Sequence, residues 1–203
     1  MIVDVFRAFT TAAFAVAAGA REIVLVNDHE QALAMKRADP TLYLCGEIDG
    51  RPIPGFDVGN SPSAVERLDL TGRRVVQRTS SGTQGVVAAT AATAIVLGSF
   101  VIAAATVRYL RGRADEVTIV AMGQNALEDA DEDLACARYL AAALRDERPS
   151  MPRITLLADR VGEGWPDWFP RRDAELALEV DRFAFALPVV RENGLLIARP
   201  DYA

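Results

Sequence analysis

Short apolar runs alternate along the chain with longer stretches whose apolar positions recur every three or four residues, and this predicts strands followed by helices. Ile2 to Val5 reads as a strand with Asp4 and Arg7 at its end, and Thr10 to Gly19 as an alanine-rich helix that Gly19 stops. Glu22 to Val26 is a strand, and Asp28 to Ala38 an amphipathic helix capped by Asn27 or Asp28 and ended by Pro40. Leu42 to Cys45 is a strand, Gly46 to Pro62 a Gly/Pro-rich loop, and Ser63 to Asp69 a short helix. Arg74 to Arg78 is a strand, and Thr79 to Gly82 a tight loop.

Gly82 to Val107 carries no charge and is long enough to span a bilayer. Alanine and threonine dominate it, and Gly98-Ser99 interrupts it. It therefore divides into a helix (Thr83 to Ala92), a buried strand (Ala94 to Leu97) and a second helix (Val101 to Arg111). Glu116 to Met122 follows as a strand. Asp129 to Arg145 is a helix with Leu134, Ala137, Leu140, Ala141 and Leu144 on its apolar face. Arg182 to Val190 and Leu195 to Ala198 flank Asn193-Gly194, a strong hairpin signal. The expected fold is α/β: a three-layer α/β/α sandwich with a mixed, mostly parallel sheet and a C-terminal antiparallel hairpin at its edge. No linker or internal repeat divides residues 1–203, which read as a single domain.

Composition narrows the chemistry. Of 203 residues 51% are apolar and 25% charged, the balance of a core-forming chain. The net charge of −6 argues against a nucleic-acid partner. Lys36 is the single lysine among 22 basic residues, so any anion clamp must be arginine, and no Gly-Lys-Ser/Thr string exists for a P-loop. Cys45 and Cys136 match no metal or redox spacing and read as small buried hydrophobes of a reduced, cytoplasmic protein. His29, the one histidine, sits in a turn, too little for a histidine metal site. Met1 to Arg7 lacks the basic region and apolar stretch of a signal peptide.

The polar clusters fall where strands end, the place for ligands in open α/β sheets. Asp4, Arg7, Thr10 and Thr11 follow the first strand, and Glu47 the Leu42–Cys45 strand. Asp57, Asn60 and Ser61 lie in the long loop, Thr79, Ser81, Gly82 and Thr83 before a helix, and Ser99 after another strand. Glu132 and Asp133 belong to the acidic start of the Asp129 helix. Taken singly, such clusters are caps and dipole partners. Together, hydroxyls, helix-start amides and Arg7 suit a phosphate, while Asp4, Glu47, Asp57 and Glu132 suit Mg²⁺, which takes oxygen ligands. Phosphoryl chemistry without histidine, cysteine or lysine is the expectation.

The strings also resemble a family. Val3 to Ala12 (VDVFRAFTTA) resembles the opening motif of the 2-phosphosulfolactate phosphatase (ComB-like) family, and Pro54 to Pro62 (PGFDVGNSP) its central signature. Gln77 to Gln84 (QRTSSGTQ) is similar to its Gly-Thr loop. Leu97 to Val101, Glu132 to Ala137 and Asp181 to Pro200 are similar to later blocks, in order. Arginine is absent after Glu47 where relatives have Gly-Glu-Arg-Gly, Ser81 replaces the usual Asn, and Ile102 stands where Asn is common.

The resemblance implies a Mg²⁺-dependent phosphatase whose named substrate is 2-phosphosulfolactate, an intermediate on one route to coenzyme M. Asp4, Glu47 and Asp57 are then the metal candidates. Asp4, Arg7, Glu132 and Asp133 are the catalytic candidates. Thr10, Thr11, Asn60, Ser61, Thr79, Ser81, Gly82, Thr83 and Ser99 are the substrate-binding candidates. Direct hydrolysis and a covalent aspartyl phosphate on Asp4 both remain open. Haloacid-dehalogenase-type phosphatases need Asp-x-Asp, and Phe6 occupies the second place. The rival readings are a non-catalytic anion-binding or regulatory domain and a phosphatase for another phospho-acid. The partner is a small anionic phosphorylated substrate, with no membrane. A homo-oligomer would place a subunit contact on the 82–107 segment or on Trp165, Trp168 and Phe169.

Overall fold

The computed structural model describes residues 1–149 and 168–202. Ten strands form one mixed sheet: β1 (Ile2–Val3), β2 (Glu22–Val26), β3 (Tyr43–Ile48), β4 (Arg51–Pro52), β5 (Val58–Gly59), β6 (Arg74–Arg78), β7 (Ile95–Gly98), β8 (Val120–Ala121), β9 (Leu187–Glu192) and β10 (Leu195–Ala198). Their order is β4-β3-β6-β2-β10-β9-β7-β1-β8, with β5 also on β3. The helices are α1 (Ala8–Ala17), α2 (His29–Ala38), α3 (Pro62–Val65), α4 (Gly82–Ala88), α5 (Ala103–Leu110), α6 (Asp131–Leu144) and α7 (Arg171–Ala177), with a 3-10 turn over Phe100–Ile102. No helix among the described residues is long and apolar enough to cross a membrane.

The C-terminal hairpin forms as its Asn-Gly turn predicts: Asn193 and Gly194 both have positive φ, 51° and 77°, the geometry whose twist suits a tight hairpin. Its position differs from expectation. β9 and β10 lie in the middle of the sheet, β10 antiparallel to β2 and β9 antiparallel to β7. The parallel strands are thereby split into β3-β6-β2 and β7-β1-β8. The antiparallel pairings β2–β10, β10–β9 and β9–β7 separate the two sets, so these run in opposite senses.

Sheet twist reconciles the sets. At roughly 20–25° per neighbouring pair, the five steps from β6 to β1 turn one set steeply across the other. The sheet curls around α1, whose residues Ala8 through Val16 are all buried. A helix apolar all round belongs inside a core, and alanine lets it approach the sheet closely. Phe9, Ala13 and Phe14 pack there with Ile23, Cys45, Val75, Leu97 and Leu187. Gly19, at φ 104°, ends α1 as expected, with Gly19 N–H on Val16 O and Ala20 N–H on Ala15 O.

The opposite sheet face is covered by α2 over Val24, Leu44, Val76 and Ile197, and by α5 and α6 around Val3, Phe100 and Leu140. Helices thus lie on both faces. Cys45 and Cys136 are buried as expected, and burial pushes both thiols up, that of Cys45 to about 12.

Several expected boundaries move. The Glu116–Met122 run forms a strand only at Val120–Ala121, because its partner β1 has two residues to offer. The Thr83–Ala92 helix is Gly82–Ala88, and the Ser63–Asp69 helix is Pro62–Val65. The Gly46–Pro62 loop contains β4 and β5. The buried stripe of α6 is Asp133, Cys136 and Leu140, not Leu134, Ala137 and Ala141, because Asp133 turns inward to bind loop amides. α7 was not expected. Trp165 lies outside the described residues; Phe169 is buried against Phe6, and Trp168 stacks on Phe169.

Candidate active site

The site forms where α1 begins, and the chain reaches it from both parallel sets. Asp4 follows β1 and is 4% exposed. Its Oδ1 accepts the Ala8 amide at 3.0 Å, and the Gly82 amide at the start of α4 favours the charged carboxylate. Gly82 is required for this approach, since a Cβ there would lie 2.8 Å from Asp4 Oδ2 and 2.8 Å from Ala8 Cβ. Burial, above all, with Glu47 and Glu132 adding repulsion, pushes the Asp4 carboxyl up to about 7.

Asp133, 2% exposed, reaches in from α6. Its Oδ1 accepts the Val5 amide at 2.7 Å and its Oδ2 the Gly123 amide at 2.9 Å. Burial and then the neighbouring Asp4 raise it well above the usual carboxylate range. Glu132 is only partly buried and acts electrostatically on both.

Glu47, at the end of β3, is 6% exposed. Its Oε1 accepts the Ser80 amide at 2.5 Å, and its Oε2 accepts the Gly50 amide at 2.6 Å and the Ser80 hydroxyl at 3.1 Å. Asp4, Glu47, Glu132 and Asp133 thus form one acidic group, built on backbone amides from four loops. Among the described residues no three such side chains close on a point as a ready-made metal cage. The donor set still suits Mg²⁺: it is all oxygen, and Mg²⁺ usually takes one or two carboxylates and keeps several waters.

Asp57 does not join this group. Its carboxylate pairs with Lys36 and accepts the Leu44 amide at 2.7 Å, which fixes the loop to β3. The expected metal candidate thus sits, half-buried, against the chain's one lysine rather than with the other carboxylates.

Arg7 also points elsewhere than expected. It is 5% exposed, and its guanidinium lies over the Phe169 ring, 4.6 Å from the centroid, and near Trp168. It donates to Asp173 Oδ2 at 3.0 Å, to Gly50 O at 3.0 Å and to Trp168 O at 3.4 Å. A buried cation needs a buried partner, and Asp173 is that partner.

The hydroxyls divide into two groups. Thr79 and Thr83 bond each other's backbones and cap α4, Thr10 donates to Val5 O, and Ser81 donates to Gly123 O. Ser61 donates to Asp173. By contrast the Thr11 and Ser99 hydroxyls, like the Asn60 amide oxygen, are buried without a hydrogen-bond partner among the described residues. Asp173, Gly50, Ser63 and Ser80 join these contacts without being among the expected site residues; of them only Ser80, within the Thr79–Thr83 loop, carries a local signal. His29 stands at the start of α2 between Asp28 and Glu30.

Comparison with known proteins agrees with the motifs. The chain matches the 2-phosphosulpholactate phosphatase family over residues 1–161. It is 38% identical over 167 residues to a "Probable 2-phosphosulfolactate phosphatase" of Deinococcus radiodurans, covering 80% of this chain and 70% of that protein. A protein of the same name from Thermus thermophilus is 39% identical, over 82% of this chain and 70% of its own length. A third, from Bacillus subtilis, is 33% identical, over 69% and 61% respectively. The matched part of the chain thus spans 61% to 70% of these curated relatives. The chain belongs to the 2-phosphosulpholactate phosphatase family, a family of phosphoric monoester hydrolases.

Proposed function

We propose that this protein hydrolyses the phosphate monoester of a small, multiply anionic 2-hydroxy acid, with 2-phosphosulfolactate, the substrate in its relatives' names, as the first candidate, and that it does so with Mg²⁺. The observation that carries the reading is Asp4: a carboxylate buried at a helix start, pushed up by burial and by two neighbouring carboxylates. Gathering negative charge in a low-dielectric place is costly, and a divalent cation with a phosphoryl group offsets that cost. A pure anion binder gains nothing from it.

In this reading Asp4 and Glu47 would hold Mg²⁺, which would supply charge neutralisation of the phosphoryl oxygens when bound. The Gly82 amide at the start of α4 favours the charged form of the Asp4 carboxylate. Asp133, with both oxygens on backbone amides, fixes the Val5 and Gly123 backbone segments that follow β1 and β8. Glu132, the more exposed of the acids, orients the attacking water or protonates the leaving alkoxide. Ser99, Thr11 and Asn60 supply buried polar atoms that no other described residue uses.

The test is phosphate release by the purified protein from racemic 2-phosphosulfolactate, with and without Mg²⁺. Phosphoglycolate, phospholactate, phosphoglycerate and p-nitrophenyl phosphate run alongside. Mg²⁺-dependent release that disappears in Asp4→Asn supports the reading, and the preferred substrate names the acid. No release from any of them overturns it in favour of an anion-binding domain.

A further inference from the structure

Asp173 makes no contact with the acidic group, yet a chain of hydrogen bonds joins it to Glu47. It is fully buried in the first turn of α7. Its Oδ1 accepts the Ser61 hydroxyl at 2.8 Å, the Ser63 amide at 3.0 Å and the Ser63 hydroxyl at 2.5 Å. That leaves Oδ2 for Arg7 Nη1 at 3.0 Å. The other arm of Arg7, Nη2, donates to the Gly50 carbonyl at 3.0 Å. The Gly50 amide donates to Glu47 Oε2 at 2.6 Å. Gly50 has little freedom of place: its φ is 80°, and a Cβ on it would lie 2.3 Å from Trp168 Cζ3.

Arg7 therefore does more than neutralise a buried acid. Its fork spans from Asp173 to the turn that follows Glu47, a geometry a planar guanidinium provides and an ammonium does not. Supporting residues of this kind, one step behind a ligand, hold it within the narrow range that function tolerates.

We propose that Asp173 is a positioning residue for the hydrolysis, acting through Arg7 and Gly50 to set the Glu47 carboxylate beside Asp4. This rests on the preceding reading of Glu47 as a Mg²⁺ ligand. Ser61 and Ser63 fix the Asp173 carboxylate from behind, and the Trp168 and Phe169 rings flank the guanidinium.

The experiment titrates the full chain with magnesium chloride in a calorimeter, without substrate, and follows the melting temperature of each variant. Asp173→Asn removes the anchor, Arg7→Lys keeps a cation but loses the fork, and Ser63→Ala weakens the anchor while leaving the ion pair intact. Leu187→Ala is the control, a fully buried core position on β9 outside the relay. The expected result is Mg²⁺ binding weakened about tenfold or more in Asp173→Asn and Arg7→Lys. Ser63→Ala falls a few-fold, and Leu187→Ala melts lower with Mg²⁺ affinity unchanged. If Asp173→Asn does not fold, Ser63→Ala and Arg7→Lys carry the comparison. Relay variants that melt lower but bind Mg²⁺ like the wild type, or a control that loses affinity with them, overturn the inference while leaving the phosphatase reading intact. A wild-type protein that neither binds Mg²⁺ nor releases phosphate overturns both.

Discussion

Asp133 accepts the backbone amide of Val5 at 2.7 Å, tying α6 to the residue just after the Asp4 loop begins. Its other oxygen holds Gly123, so one side chain anchors the segments that follow two neighbouring strands, β1 and β8. Truncation leaves two inward-facing amides without an acceptor, at about 1–3 kcal/mol for each unsatisfied group. Relief of a buried, repelled carboxylate offsets part of this. Asp133→Ala is expected to lose about 2–4 kcal/mol in denaturant unfolding and to lose activity. Asp133→Asn, which keeps one acceptor, is expected to lose about half as much. Equal stability of Asp133→Ala and wild type would show that water replaces the carboxylate.

Asp4 shows the opposite balance. It accepts the Ala8 amide, and the Gly82 amide favours its charge, but burial and its neighbours oppose that charge. Asparagine keeps one acceptor and carries no charge. In chelator at pH 8, Asp4→Asn is expected to melt no lower than wild type while releasing no phosphate. Adding Mg²⁺ should separate them. A ligand at a hundred times its dissociation constant stabilises by about 2.7 kcal/mol, a rise of several degrees for a chain of this size. Wild type should show that rise and Asp4→Asn should not. Equal rises in both would remove Asp4 from the metal site.

The elements legible in the sequence are those whose signal is local. Glu22–Val26 and Arg74–Arg78 emerge with their expected boundaries, because short β-branched apolar runs beside charged residues leave few alternatives. The Asn193-Gly194 turn is equally local. The placement of the hairpin is not, since nothing in Leu187–Ala198 encodes which strands it joins. Its insertion reverses one parallel set against the other, so strand ends that a uniform sheet would align meet only because the sheet curls. Asp4, Glu47, Glu132 and Asp133 stand out in the sequence because they are acids placed after strands or at a helix start. Asp57 carried the same signal and proved to be Lys36's partner, a contact between distant segments. Asp173 was missed because Arg-Arg-Asp at a helix start resembles ordinary dipole complementation; only burial distinguishes it.

Glu22 provides a pH test away from the site. Its carboxylate lies buried between Arg74, at 2.5 Å, and Arg199, at 2.8 Å, and so links β2, β6 and the chain after β10. Burial pushes the group up, but the hydrogen bonds from Arg199 and Arg74 outweigh it and hold the carboxyl below its usual value. A lowered folded-state value stabilises above the unfolded value, about 4.3 for glutamate, and that contribution fades as pH falls through the folded value. The stability gap between wild type and Glu22→Gln in urea is therefore expected to be constant from pH 7 to about 5 and to shrink below about 4. A gap that persists unchanged at pH 3 would mean that the carboxylate's charge contributes nothing.

Gly82 separates the site from the fold most sharply. Its φ is negative, so alanine fits the backbone, and alanine favours a helix by about 1 kcal/mol over glycine. On propensity alone Gly82→Ala stabilises α4. The added methyl, however, would lie 2.8 Å from Asp4 Oδ2, 2.8 Å from Ala8 Cβ and 3.0 Å from the Phe9 ring, closer than carbon packs. Neither Ala8 nor Phe9 can yield, both being fully buried in α1. The helix start must therefore move away from Asp4 and take with it the amide that favours the carboxylate's charge. A shift of even about 1 Å costs on the order of a hundredfold in rate when the displaced group is part of the reacting geometry. Gly82→Ala is thus expected to fold with the wild-type circular dichroism spectrum and to lose about a hundredfold or more in kcat. Full activity in the alanine variant would place the reacting phosphate away from the start of α4 and leave Asp4 with a structural part only.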